Sequence, residues 1–156
     1  MTGLVTGCDR ADVNRFVSHM VYVIARLEEA GGTMLAMAAT GYSTAMRVSS
    51  LEVVDEWWLY PPERTSVPKL RPDSAAITRM DQALSWIRFI PVEQRAERRV
   101  VGARAMVNPL NGRHLVSWRA LGRELGVEHH TVQTWHSRGI ERIAVRLTAD
   151  GFIFPD

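Results

Sequence analysis

The sequence predicts a nearly all-α protein with an N-terminal helical lobe (residues 1–62), a proline-rich linker (63–71) and a C-terminal helix-turn-helix domain (72–156). Three observations carry this expectation. Apolar residues recur at spacings of three and four along most of the chain, the period of a helix with one buried stripe. No run of alternating β-branched residues lasts more than a few positions, so strand signals are scarce. A chain of 156 residues that is 46% apolar and carries five Trp has enough apolar surface for one core, or one core plus a small lobe, and is no disordered polymer.

The elements follow in order. Asp12 is placed to cap a helix whose stripe is Val13, Phe16, Val17, Met20, Ile24 and Leu27, and Gly31-Gly32 reads as its end, a left-handed C-cap. The stripe suits either a core or an oligomer seam. A stretch of small residues runs from Met34 to Thr44, with a turn at Gly41-Tyr42-Ser43. Ser49 or Ser50 then caps a short helix carrying Leu51, Val54 and Trp58, stopped by Pro61-Pro62. Four prolines in the twelve residues from Pro61 to Pro72 make a stiff linker. Beyond it, Asp73 or Ser74 caps a helix with Ile77, Met80, Leu84 and Ile87 on one face. Pro91 opens the next, about Val92 to Val107, with Ala96, Val100, Ala103 and Val107 inward. The loop 108–112 precedes two closely spaced helices, about Ser117 to Leu125 and His129 to Leu147, and an apolar tail, Phe152-Ile153-Phe154, returns to the core.

Charge and cysteine content narrow the function. The whole chain carries 19 basic and 17 acidic residues, a net +2 that excludes a histone-like polycation. Residues 1–87 hold 8 basic and 10 acidic residues, whereas 88–156 hold 11 basic and 7 acidic, so the C-terminal half is the expected surface for anions. One cysteine, Cys8, excludes an intramolecular disulfide and any cysteine-based zinc site. The segment Leu4 to Cys8 superficially fits a lipoprotein box but lacks a basic and an apolar region before it. The longest apolar stretch, Phe16 to Ala25, is interrupted by Ser18 and His19 and is too short to span a bilayer. A soluble, cytoplasmic protein without membrane contact is the expectation.

The informative segment runs from Trp118 to Trp135. A helix-turn-helix unit needs a short first helix, a tight turn and a second helix set across it, with a small residue where the backbones approach. Leu121 and Leu125 supply first-helix contacts, Gly122 the small residue, and Gly126 a turn that tolerates positive φ. Val127 plugs the corner, and Val132 and Trp135 are the second-helix contacts. On the second helix Val132, Trp135, Gly139, Ile143 and Leu147 face inward, leaving His130, Gln133, Thr134, Ser137, Arg138 and Glu141 outside. Amide, hydroxyl and imidazole groups are the types that read base edges: Gln pairs with adenine, Thr meets a thymine methyl, His donates to guanine. Hence His129, His130, Gln133, Thr134 and Ser137 are the expected base-reading residues. Arg113, Arg119, Arg123, Arg138 and Arg142 are the expected phosphate contacts, which position a protein on the duplex. Glu128, which would repel phosphate, either caps the second helix or accepts from a cytosine amino group; the cap is the favoured reading.

Residues 72–147 resemble an uncharacterised family of prophage-associated helix-turn-helix proteins of alphaproteobacteria. The resemblance lies in Pro72, Ser74, Ile77, Arg79, Met80 and Asp81, then Trp86, then Trp118 at the start of the unit and Ile143, Ala144, Arg146 and Leu147 at its close. Gly41-Tyr42-Ser43-Thr44 and Trp57-Trp58 match more loosely. The spacing of the last two helices is also similar to the DNA-reading region of sigma factors and of phage small terminase subunits. Members of that family carry an Arg-rich second helix, where this chain has Glu128-His129-His130, so base preference does not transfer; the loop from Val107 to Val116 is also longer. The resemblance implies DNA binding.

Other chemistry finds little support. His129 and His130 are adjacent and expected to point apart, His136 lies near the inward face, and the spacing gives no metal site. No nucleophile elbow, phosphate loop or paired-carboxylate motif is present, so neither an enzyme nor a cofactor is expected. Trp57-Trp58 beside Pro61-Pro62 is either local core or a partner-binding knob. The leading expectation is sequence-specific binding of double-stranded DNA for phage or prophage transcription control. The alternatives are a small-terminase packaging subunit, with the N-terminal lobe as its oligomer scaffold, and a sigma-like or polymerase-binding module anchored by Trp57 and Trp58.

Overall fold

Helical spacing with few breakers over most of the chain gives an all-α protein. The computed structural model describes residues 10–39 and 71–155, and these hold five α-helices: α1 (Arg10–Ala39), α2 (Ser74–Ser85), α3 (Arg95–Ala105), α4 (Trp118–Leu125) and α5 (His129–Ala149). A 3₁₀ turn, Trp86–Phe89, continues α2 and ends ahead of Pro91. Among the described residues there is no strand, and a single isolated antiparallel bridge, Val107 to His114, closes the loop between α3 and α4. No helix among them is long and apolar enough to cross a membrane.

The 30-residue α1 differs from its expectation at both ends. It begins at Arg10, so Asp12 lies inside the first turn, where its charge suits the helix dipole, instead of capping it. It also runs straight through Gly31-Gly32, the expected stop. A Cβ on Gly31 would sit 2.0 Å from the Ala105 carbonyl oxygen, so this glycine admits the end of α3 against the α1 backbone. The signal read as a cap is a packing contact. The buried stripe is Val23, Leu27, Ala30 and Met34, with Phe16 and Met20 at its half-buried start, whereas Val13 and Val17 face solvent.

Asp73 caps α2, its carboxylate accepting from the Ala76 N–H at 2.6 Å, and Met80, Leu84 and Ile87 are buried as their spacing predicts. Helix α3 starts at Arg95, three residues later than expected, because Pro91–Gln94 form a turn closed by the Gln94 N–H on the Pro91 carbonyl. From Val100 onward α3 is buried on all sides.

One core cluster joins Val23, Leu27 and Met34 of α1, Met80, Ala83 and Leu84 of α2, Val101 of α3, and Ile140, Ile143 and Leu147 of α5. The tail folds onto it: Phe152 meets Trp86 edge-on at 5.6 Å, and Phe154 stacks on His19 at 3.8 Å. A smaller cluster of Val100, Ala103, Leu121 and Val132 joins α3 to α4 and the first turns of α5. Thus α1 and α5 share one core. The expected short helix at Leu51–Trp58, the linker and the boundary between lobe and domain lie outside the described residues.

Candidate nucleic-acid interface

Ser117 opens the site. Its hydroxyl caps α4 by accepting from the Ala120 N–H at 3.2 Å. Gly126 ends α4 at φ 67°, the left-handed conformation that costs a Cβ-bearing residue free energy. The Val127 N–H returns to the Gly122 carbonyl at 2.9 Å, and a Cβ on Gly122 would lie 2.7 Å from the Val127 oxygen. The turn therefore passes directly over Gly122. Leu121 and Val132 are fully buried, with Leu125, Val127 and Trp135 packed around them. All seven positions required by the spacing are occupied in the expected way.

This packing fixes the outer surface. His130, Thr134, Ser137, Arg138 and Glu141 of α5 are exposed, while His129 and Gln133 are half-buried. The Thr134 hydroxyl donates back to the His130 carbonyl at 3.0 Å, which orients its methyl and leaves its oxygen able to accept. Arg119 and Arg123 are exposed on α4 and line an open cleft of about 780 Å³ whose other wall is Gly126, Val127, Glu128 and His129. The cleft reaches the N-terminus of α5 at Glu128 and His129. Arg113 is exposed in the loop before α4.

Three details differ from the expectations. His129 and His130 do not point apart: their rings lie 4.0 Å centroid to centroid, tilted by 37°. Glu128 occupies the N-cap position of α5, but its side chain makes no capping bond. Arg142 is engaged elsewhere: its Nε donates to Glu97 Oε2 at 2.9 Å, and Glu97 is 3% exposed on α3. That ion pair ties α5 to α3 and commits the Arg142 charge to a buried carboxylate. Trp57 and Trp58 lie outside the described residues.

Beneath the site is a polar stack that the spacing alone does not reveal. Arg104, 9% exposed, places its guanidinium 4.0 Å over the Trp118 ring and donates to the Val116 carbonyl at 2.9 Å. His136 meets the edge of Trp118 at 5.3 Å. His114 Nδ1 donates to the Arg104 carbonyl at 2.9 Å, and its Nε2 faces Glu28 of α1 at 3.6 Å. Burial lowers the pKa of Arg104, an effect Glu28 opposes. Burial first, then the nearby Arg104 and His114, lower the His136 pKa from 6.5 to about 4. A lone charge inside the apolar run Val100 to Val107 is the sequence signal for Arg104. Among the described residues no group of three His, Cys, Asp or Glu is placed to hold a metal ion.

The described fold and site define an all-α protein with a glycine-cornered helix–turn–helix arrangement at its C-terminal end. The chain belongs to a family described as a domain of unknown function (DUF6362), whose match spans residues 43–143, more than half of the chain. The matched span contains α2 to α4 and the first four turns of α5, and it leaves out the described part of α1. No curated protein and no solved structure matches the chain.

Proposed function

We propose that the chain is a sequence-specific double-stranded DNA-binding protein of phage or prophage origin that regulates transcription, with α5 as its recognition helix in the major groove. The observation that carries this reading is the composition of the outer α5 face. His130, Thr134, Ser137 and Arg138 are exposed beside the partly exposed Gln133, where an ordinary solvated helix would show a Glu/Lys mixture. Arg119 and Arg123 on α4, across the cleft from the α5 N-terminus, supply the phosphate contacts before the turn, and Arg138 on α5 supplies one beyond it. Arg142 has a structural role instead, because releasing it to phosphate would strand the Glu97 carboxylate. Glu128, with no capping bond, reads cytosine by accepting from its exocyclic amino group.

The test is retention of duplex DNA by the native chain and by a Gln133→Ala, Arg138→Ala double variant over a salt series. The variant is expected to bind at least about tenfold more weakly and to show a shallower dependence on salt, by about one unit in the log–log slope. Unchanged binding at low and moderate salt overturns the reading.

A further inference from the structure

Helix α1 carries a second apolar row that nothing among the described residues covers. Val13, Val17 and Val21 are 46%, 52% and 60% exposed, and Ala25, one turn further on, is exposed as well. At about 100° per residue the row lies about a third of a turn round the helix from the buried stripe of Val23, Leu27 and Met34. Arg10 and Glu28 share one angle, since 18 residues make about five full turns, and that angle is the middle of the arc of about 120° over which the four apolar positions spread. The face therefore has a basic residue at one end of its midline, four apolar positions between, and an acidic residue at the other end. It is symmetric about position 19: Val17 mirrors Val21, Val13 mirrors Ala25 and Arg10 mirrors Glu28.

We infer that α1 pairs antiparallel with α1 of a second copy of this chain, across a two-fold axis near position 19. Such a pairing sets Val17 against Val21 of the partner subunit and Val13 against Ala25 of the partner subunit. It closes each end with an ion pair, Arg10 to Glu28 of the partner subunit. A parallel pairing would place like charges together at both ends, whereas the antiparallel one matches opposite charges and opposes the two helix dipoles. An isologous contact of this kind closes at two copies. Glu28 reaches His114 of its own chain at 3.6 Å, and its side chain is still 36% exposed. The inference does not depend on what α5 binds.

The experiment is sedimentation equilibrium of the full chain over a concentration series, with helix content followed by circular dichroism. The native chain is expected to be a dimer. Val17→Glu, an exposed position in each copy, is expected to raise the dimer dissociation constant at least about 100-fold with helix content unchanged. Arg10→Glu and Glu28→Arg are each expected to weaken the dimer about tenfold, and their combination to restore it, because reversed charges again face each other. A native chain that stays monomeric, a ring of many copies, or a dimer indifferent to Val17→Glu overturns the inference, as does a failure of the double charge reversal to restore pairing.

Discussion

Two arginines of the C-terminal helices sit in different surroundings, and the proposed function gives them different roles that can be measured. Arg142 pairs with a carboxylate that is 3% exposed, so Arg142→Ala leaves Glu97 buried without its cation. The expected cost is about 2 kcal/mol in urea unfolding, below the value for a fully buried pair because Arg142 itself is 43% exposed, and the salt slope of DNA binding stays unchanged. Arg119→Ala is expected to do the reverse: stability within about 0.5 kcal/mol of the native chain, and a salt slope reduced by about one. His136 makes a separate prediction. Unfolded, it takes a proton near 6.5; folded, it does so only at about 4. The unfolded state therefore binds more protons across that window, and stability falls as pH drops through it, by up to about 1.4 kcal/mol per pH unit. Above 6.5 the group adds no pH dependence. Urea unfolding at several pH values should show a smaller acid-side loss for His136→Phe than for the native chain, and equal losses would contradict the burial argument.

At the scale of elements, the sequence and the folded helices agree where local chemistry decides and part where tertiary contact does. Asp73, Ser117 and Gly126 are local signals, and α2 and α4 start or stop at them. The seven apolar and glycine positions from Leu121 to Trp135 were legible because a tight turn between two helices restricts residue type at fixed spacing. Gly31-Gly32 shows the limit. A glycine pair reads equally as a C-cap or as a close approach, and only the position of Ala105 decides which. The same holds for Glu97 and Arg104, whose burial depends on α5 and Trp118 closing over α3. Their spacing on α3 contains no sign of those partners. Gly31→Ala tests the packing role: the added methyl meets backbone that cannot rotate away, and an expected loss of about 1–3 kcal/mol would appear as a lower urea midpoint at unchanged m-value. A true C-cap glycine in the left-handed region would tolerate Asn there; at Gly31, inside α1, Asn should be at least as damaging as Ala.

For the whole molecule, the net charge of +2 conceals an acidic N-terminal half and a basic C-terminal one. The described helices give the asymmetry a place, since Arg119, Arg123 and Arg138 are exposed around α4 and α5. The shared core of α1, α2 and α5 holds the far end of the proposed recognition helix, while the smaller cluster with Val100 and Leu121 holds its near end. Such a scaffold presents a rigid helix face, which is what direct readout of base edges needs. A two-copy pairing through α1 would place two such faces about a two-fold axis and favour a palindromic site. The central claim is that the outer face of α5 reads duplex sequence. The most direct measurement is selection of bound duplexes from a random DNA pool by the native chain and by Gln133→Ala. Enrichment of a common core by the native chain, altered at one or more base pairs by the variant, is the expected result. A pool that stays random, or a core identical for both proteins, would contradict the claim.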